Sequence, residues 1–290
     1  MDAYFSTGAF RTSSLAEIFR ECTAQNIERL ELSSGLKPDA NFEQEIAGAK
    51  NSLRMLVHNY FPPPPEPFVL NLASTDQRVL ELSKNMVRAA IELSAELGAP
   101  FYSVHSGFAL NLAPEQLGHH ETQGASASQT SVPRKLVDRI FSETVAALAE
   151  FAHARGVGLL LENNVVSPAH AKHHRQHDFL MTTANEIVRF FREINHPALG
   201  LLLDFGHAKV SATTLGFDPR EFVSAVAPHV RGLHLSDNDG QADQNSPFSR
   251  ESWFAPMLRD FSDLPMVIEA YNLSPEQMRV QSRLLAELLA

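Results

Sequence analysis

Short apolar runs recur along the chain, and an amphipathic stretch with helical spacing follows most of them. Leu201-Leu202-Leu203 shows no polar alternation. It reads as a strand buried on both faces, as in a parallel sheet covered by helices. Strand patterns fall at 4–7, 27–32, 54–57, 101–104, 157–161, 199–203, 230–235 and 266–270. Helical patterns fall at 15–25, 41–50, 74–97, 134–155, 183–194, 219–226, 253–261 and 275–289. Ser13-Ser14 precede the first helix, with Glu17 in its opening turn, a sequence signature of an N-terminus. Thr75-Asp76 open the 74–97 helix and Gly98 closes it, Gly being a favoured helix stop. Strand and helix alternating over the whole length predict an α/β protein, a single-domain (β/α)₈ barrel over 1–290.

The chemistry-bearing residues sit where the strand runs stop. Leu203 is followed by Asp204, Leu161 by Glu162, Val104 by His105, Leu233 by His234 and Ile268 by Glu269; His58 follows the third strand. Phe205-Gly206 reads as a turn that brings His207 back over the same mouth. A lone carboxylate at a strand end reads equally as a helix cap or half of an ion pair. Four ligand-type groups ending the last four strands favour a shared site, because barrels build their sites at that end. Three carboxylates and one imidazole, from Glu162, Asp204, His234 and Glu269, form a hard, oxygen-rich set. It suits Mn²⁺, Zn²⁺, Co²⁺ or Mg²⁺, with positions left for substrate oxygens.

The connecting segments add candidates. Tyr60-Phe61 followed by Pro62 to Pro65 is a stiff extended loop. Its place after the third strand makes Tyr60 and Phe61 a pocket wall. Residues 111–133 are long for a barrel connection and read as a mobile lid. His170, His173, His174 and His177 read as a polar solvated segment, the alternative being a substrate clamp or adventitious metal binding.

The composition narrows the function. Of 290 residues, 34 are acidic and 24 basic, for a formal charge of −10; that argues against nucleic acid as the substrate. The single cysteine, Cys22, lies in a helical pattern and reads as a small buried apolar residue. No apolar run approaches the roughly 20 residues of a membrane span, and no leader pattern is evident, so the expectation is a cytoplasmic protein.

Glu162-Asn163-Asn164, Asp204-Phe205-Gly206-His207, His234-Leu235-Ser236-Asp237-Asn238 and Ile268-Glu269-Ala270 resemble the motifs of the xylose-isomerase-like TIM-barrel superfamily. That superfamily includes sugar isomerases, ketose 3-epimerases, inosose dehydratases and abasic-site nucleases of the endonuclease IV type. The epimerase branch implies one divalent ion on Glu162, Asp204, His234 and Glu269, with Glu162 and Glu269 as acid and base on opposite faces of an enediolate. It implies a small polyhydroxylated sugar as partner, with His207 orienting a hydroxyl; His105, His58, Tyr60, Asn164 and Asp243 are further substrate-binding candidates. Xylose isomerases proper carry Lys where Asn164 stands here, which argues against a hydride shift. The nuclease branch implies three zinc ions, with His58 and His105 among their ligands. Asn245 replaces the His expected after Asp243, so that branch matches only in part. A dehydratase, a non-catalytic sugar-binding barrel and a homo-oligomer all stay open.

Overall fold

The computed structural model describes residues 3–37, 39–110, 132–173 and 178–290. Eight parallel strands close a barrel in sequence order: β1 (Tyr4–Ser6), β2 (Arg29–Leu32), β3 (Arg54–His58), β4 (Phe101–His105), β5 (Gly158–Glu162), β6 (Leu199–Asp204), β7 (Val230–Leu235) and β8 (Met266–Ile268). Around them run α1 (Leu15–Gln25), α2 (Phe42–Ala49), α3 (Gln77–Glu96), α4 (Arg134–His153), α5 (Pro168–His173), α6 (Ala184–Ile194), α7 (Phe205–Leu215), α8 (Pro219–Val226) and α9 (Pro275–Leu289). This is the (β/α)₈ TIM barrel that the alternation predicts.

The two-residue repeat of the strands sorts side chains into two cores. Leu30, Leu32, Leu159, Leu161, Leu201, Leu203, Leu233 and Leu235 turn outward, into one cluster with helix residues such as Ile18, Val87, Ile91, Val145 and Leu148. Tyr4, Leu56, Phe101, Leu160, Leu202 and Val267 turn inward and plug the barrel. Counting on by two from that plug reaches His58, His105, Glu162, Asp204 and Glu269. The same parity that fills the floor therefore aims these polar side chains into the mouth. Register aligns them laterally, pairing His105 with Glu162 and Asp204 with His234.

Several boundaries differ from the sequence expectation. The helix expected from 74 begins at Gln77, because Asp76 is its N-cap and accepts the N–H groups of Arg78 and Val79. The pattern at 253–261 is a 3₁₀ helix over Ala255–Phe261, closed by i→i+3 bonds such as Met257 N–H to Phe254 O at 2.8 Å. Its tight winding brings Trp253, Phe254 and Phe261 to within 5.6, 4.7 and 6.5 Å of the Phe205 ring. Phe205-Gly206 is no turn: α7 starts directly on Asp204. Its first two turns bury Phe205, Gly206, His207, Ala208, Val210, Ser211 and Ala212, so it carries no amphipathic stripe to betray it. The 169–178 segment is helical over Pro168–His173. His174, His177 and most of the expected lid at 111–133 lie outside the described residues. Among the described residues, no helix is long and apolar enough to cross a membrane.

Leu202 is fully buried in the inner plug. Leu202→Ala is expected to cost about 2–5 kcal/mol, the usual range for a core leucine. Val280→Ala, at a site 47% exposed, should change stability by less than about 0.5 kcal/mol. Urea denaturation of the two variants checks the contrast.

Candidate metal centre and active site

Glu162, Asp204, His234 and Glu269 each bring a ligand atom to within 4.8 Å of the others'. Three of the four are at most 1% exposed, and Glu269 is 7% exposed. His234 Nδ1 is central: Glu269 Oε2 lies at 2.8 Å, Glu162 Oε1 at 3.4 Å and Asp204 Oδ2 at 3.8 Å. The second oxygens of two carboxylates face elsewhere. Glu162 Oε2 is 2.8 Å from His105 Nε2 and 3.5 Å from His58 Nε2. Asp204 Oδ1 accepts the His207 backbone N–H at 2.6 Å, capping α7. Gly206 permits this close start, since a Cβ there would meet Ser236 Oγ at 2.6 Å.

Glu162 Oε1, Asp204 Oδ2 and His234 Nδ1 are buried with no hydrogen-bond partner among the protein atoms. Orphaned buried acceptors are costly, and here they face one another. A hard divalent cation answers that deficit, so the donor set fits one.

Charges around the cluster follow its crowding. Burial raises the Asp204 carboxyl, His207 opposes, and Glu162, Glu269 and Asp243 add to the rise, carrying it to about 8. Burial also raises Glu162, but the charges of His105 and His207 and the His234 imidazole beside it hold it well below the usual carboxylate range. Burial disfavours a charged His207, yet Asp204, Asp243 and Glu162 hold it well above an ordinary imidazole. Glu269 and Glu31 do the same for His234. His58 goes the other way, because burial outweighs its attraction to Glu162.

The remaining candidates divide by what their polar atoms touch. His207 Nδ1 lies 2.8 Å from the Asn163 carbonyl and Nε2 lies 3.2 Å from Asp243 Oδ2. Both of its nitrogens thus face protein acceptors. Asp243 Oδ2 also accepts from Asn245 Nδ2 at 3.2 Å, leaving Oδ1 buried without a partner. His58 Nδ1 is 3.0 Å from Ser103 Oγ, and the side chain of His105 is 36% exposed at the mouth. The Asn164 amide donates to the Gly107 and Leu180 carbonyls at 2.9 and 2.8 Å, tying two loops. The Tyr60 hydroxyl accepts the Leu70 N–H, and burial pushes it up to about 12. Phe61 is fully buried and packs 5.7 Å from the Phe42 ring, so it belongs to the core and not to a pocket wall. His170 stacks on Phe179 at 5.2 Å.

Two residues of the mouth escape a reading confined to strand ends. Glu31, inside β2 and 0% exposed, holds Oε2 at 3.0 Å from His234 Nε2. The only signal in the chain is a charged residue flanked by Leu30 and Leu32 within a predicted strand. Tyr271, two residues past Glu269, is 42% exposed and lays its ring over Gly8. The charge of Glu269, then burial, raises its phenol.

In chelating buffer, the mouth should make folding stability fall as pH rises. Raised groups bind more protons folded than unfolded, so their stabilisation is complete below the unfolded value and vanishes at the folded one. For Asp204 that window runs from 3.8 to about 8; for His207 and His234 it starts at 6.5 and extends well above. The thermal midpoint in chelating buffer should therefore drop between pH 6 and pH 9, and Asp204→Asn should flatten the slope.

Residues 33–286 match the family described as xylose isomerase-like TIM barrel. A solved D-tagatose 3-epimerase-like protein superposes with a TM-score of 0.73 at 20% identity, covering 100% of this chain and 97% of the other. A protein from Thermus thermophilus, solved after soaking with zinc chloride, gives a TM-score of 0.62 at 22% identity, covering 99% of each chain. An uncharacterized protein of Methanocaldococcus jannaschii is 26% identical over 179 residues, 61% of this chain and half the length of that relative. By its closed eight-stranded barrel and this match over most of its length, the chain belongs to the xylose isomerase-like TIM-barrel family.

Proposed function

We propose that the protein is a divalent-metal-dependent sugar isomerase or epimerase that moves a proton through an enediolate of a small polyhydroxylated substrate. The observation that carries the reading is the meeting of Glu162 and Glu269. They come from strands on opposite sides of the arc β5–β8, in a mouth where Asp204 and His234 join them within 4.8 Å. Likeness to a D-tagatose 3-epimerase-like structure supports the substrate class.

Glu162, Asp204, His234 and Glu269 would hold the cation. When bound, it supplies Lewis-acid polarisation of a substrate carbonyl and neutralises charge that develops beside it. One glutamate carboxylate takes the proton from the carbon next to the carbonyl. The other glutamate returns a proton, to the opposite face of that carbon for epimerisation or to the former carbonyl carbon for isomerisation, in which the hydroxyl proton also passes from one enediolate oxygen to the other. No electron leaves the substrate, so no redox partner is needed. Glu162 Oε2 has an outlet in His105, at 2.8 Å and partly exposed, a route by which its proton exchanges with water. Asp243 Oδ1, buried and unpartnered, offers an acceptor to a substrate hydroxyl.

A second reading, a metal-dependent hydrolase or lyase of the endonuclease IV type, is favoured by one observation. His58, His105 and Glu162 form a further group with ligand atoms within 4.8 Å. Asn245 beside Asp243 and the charge of −10 weigh against it.

Metal content per chain separates the two. About one Mn, Co, Mg or Zn per chain supports the isomerase reading, and two or three zinc ions with cleavage of abasic duplex DNA support the other. Asp204→Ala and His234→Ala are expected to abolish divalent-metal retention, and His170→Ala to preserve it; equal loss from both sets would sink the ligand assignment. Glu269→Gln should slow exchange of the substrate's α-hydrogen with deuterated water by about 10²-fold or more, the usual worth of a general acid–base group. Undiminished exchange in a screen of ketoses would overturn its role.

A further inference from the structure

Glu31 is a buried carboxylate that the proposed chemistry leaves unused. It sits between Leu30 and Leu32, which both face the outer helix layer, so its own side chain enters the lumen. There it reaches past β1 and β8 to His234 on β7, with Oε2 3.0 Å from Nε2. Its other oxygen has no hydrogen-bond partner among the protein atoms. Burying an anion costs several kcal/mol unless a partner compensates, and packing alone would be served by leucine at this position. His234 meets a carboxylate on each side, Glu31 at Nε2 and Glu269 at Nδ1, and a cation would take the place of the proton on the Nδ1 side only. A proton on Nε2, donated to Glu31, leaves the Nδ1 lone pair facing Glu162 Oε1, Asp204 Oδ2 and Glu269 Oε2. A proton on Nδ1 would turn a donor toward the place where a cation belongs and leave two acceptors, Nε2 and Oε2, opposed at 3.0 Å.

We infer that Glu31 is a positioning residue: it holds His234 in the Nε2–H tautomer and thereby makes Nδ1 the cation-facing nitrogen. The inference rests on the assignment of Glu162, Asp204, His234 and Glu269 as the divalent-metal site. A carboxylate behind a ligating imidazole also raises its basicity, and loss of such a partner typically weakens metal affinity about 10–100-fold.

The test is calorimetric titration of the chelator-stripped full chain with Mn²⁺ and Zn²⁺, wild type against Glu31→Gln. Gln keeps the shape and removes the charge, and the expected result is binding weakened by about 10–100-fold. A purely structural Glu31 would lower the thermal midpoint of the metal-free chain and leave affinity at 25 °C unchanged; that result overturns the inference and spares the site. Absence of binding by the wild type overturns the site and the inference together. A second measurement needs no variant to fold. Long-range ¹H–¹⁵N correlation of the zinc-loaded wild type should show His234 protonated at Nε2 and not at Nδ1, and the reverse pattern overturns the proposal.

Discussion

Three carboxylates in one dry mouth cannot all carry their charge unless positive charge is brought to them. Much of the local architecture answers that constraint. The α7 N-terminus is set directly on Asp204, so that helix dipole and N–H groups meet an anion. His105 stands against Glu162, His207 bridges toward Asp243, and His234 is wedged among the three. Even so, Asp204 is left with a carboxyl raised to about 8, and Glu162 Oε1, Asp204 Oδ2 and His234 Nδ1 have no hydrogen-bond partner. The protein's own groups offset part of the charge, and the acceptors left over are of the kind a hard divalent cation takes.

The second constraint is strand parity. Because Leu160, Leu202 and Val267 plug the floor, Glu162, Asp204 and Glu269, each two residues on, face inward above them. A polar mouth over an apolar plug is one continuous pattern along each strand. The floor supplies rigidity, and the mouth inherits its geometry from it.

That parity explains what could be read from the chain without coordinates. Apolar runs ending in Asp, Glu or His mark strands and mouth together, so the barrel and the meeting of Glu162, Asp204, His234 and Glu269 were legible. Glu31 was not, because it lies inside its strand and its partner is 203 residues away. Helix α7 was hidden by the near-complete burial of its first two turns, and the 3₁₀ character of Ala255–Phe261 by tertiary packing on Phe205, which overrode a pattern that suits an α-helix equally. Phe61 looked like a pocket wall from its place after β3, yet its partner Phe42 claimed it for the core.

The mouth is also divided unequally around the ring. All four ligand-type residues come from β5 to β8, whereas Glu31, His58 and His105 stand on β2 to β4 and lean on them from across the lumen. On the proposed reading the later half-ring holds the cation and the earlier half-ring tunes it. On that reading, a substitution on the first arc changes ligand basicity and proton egress while all four candidate ligands stay in place, so the scaffold can be re-tuned without dismantling its donor set.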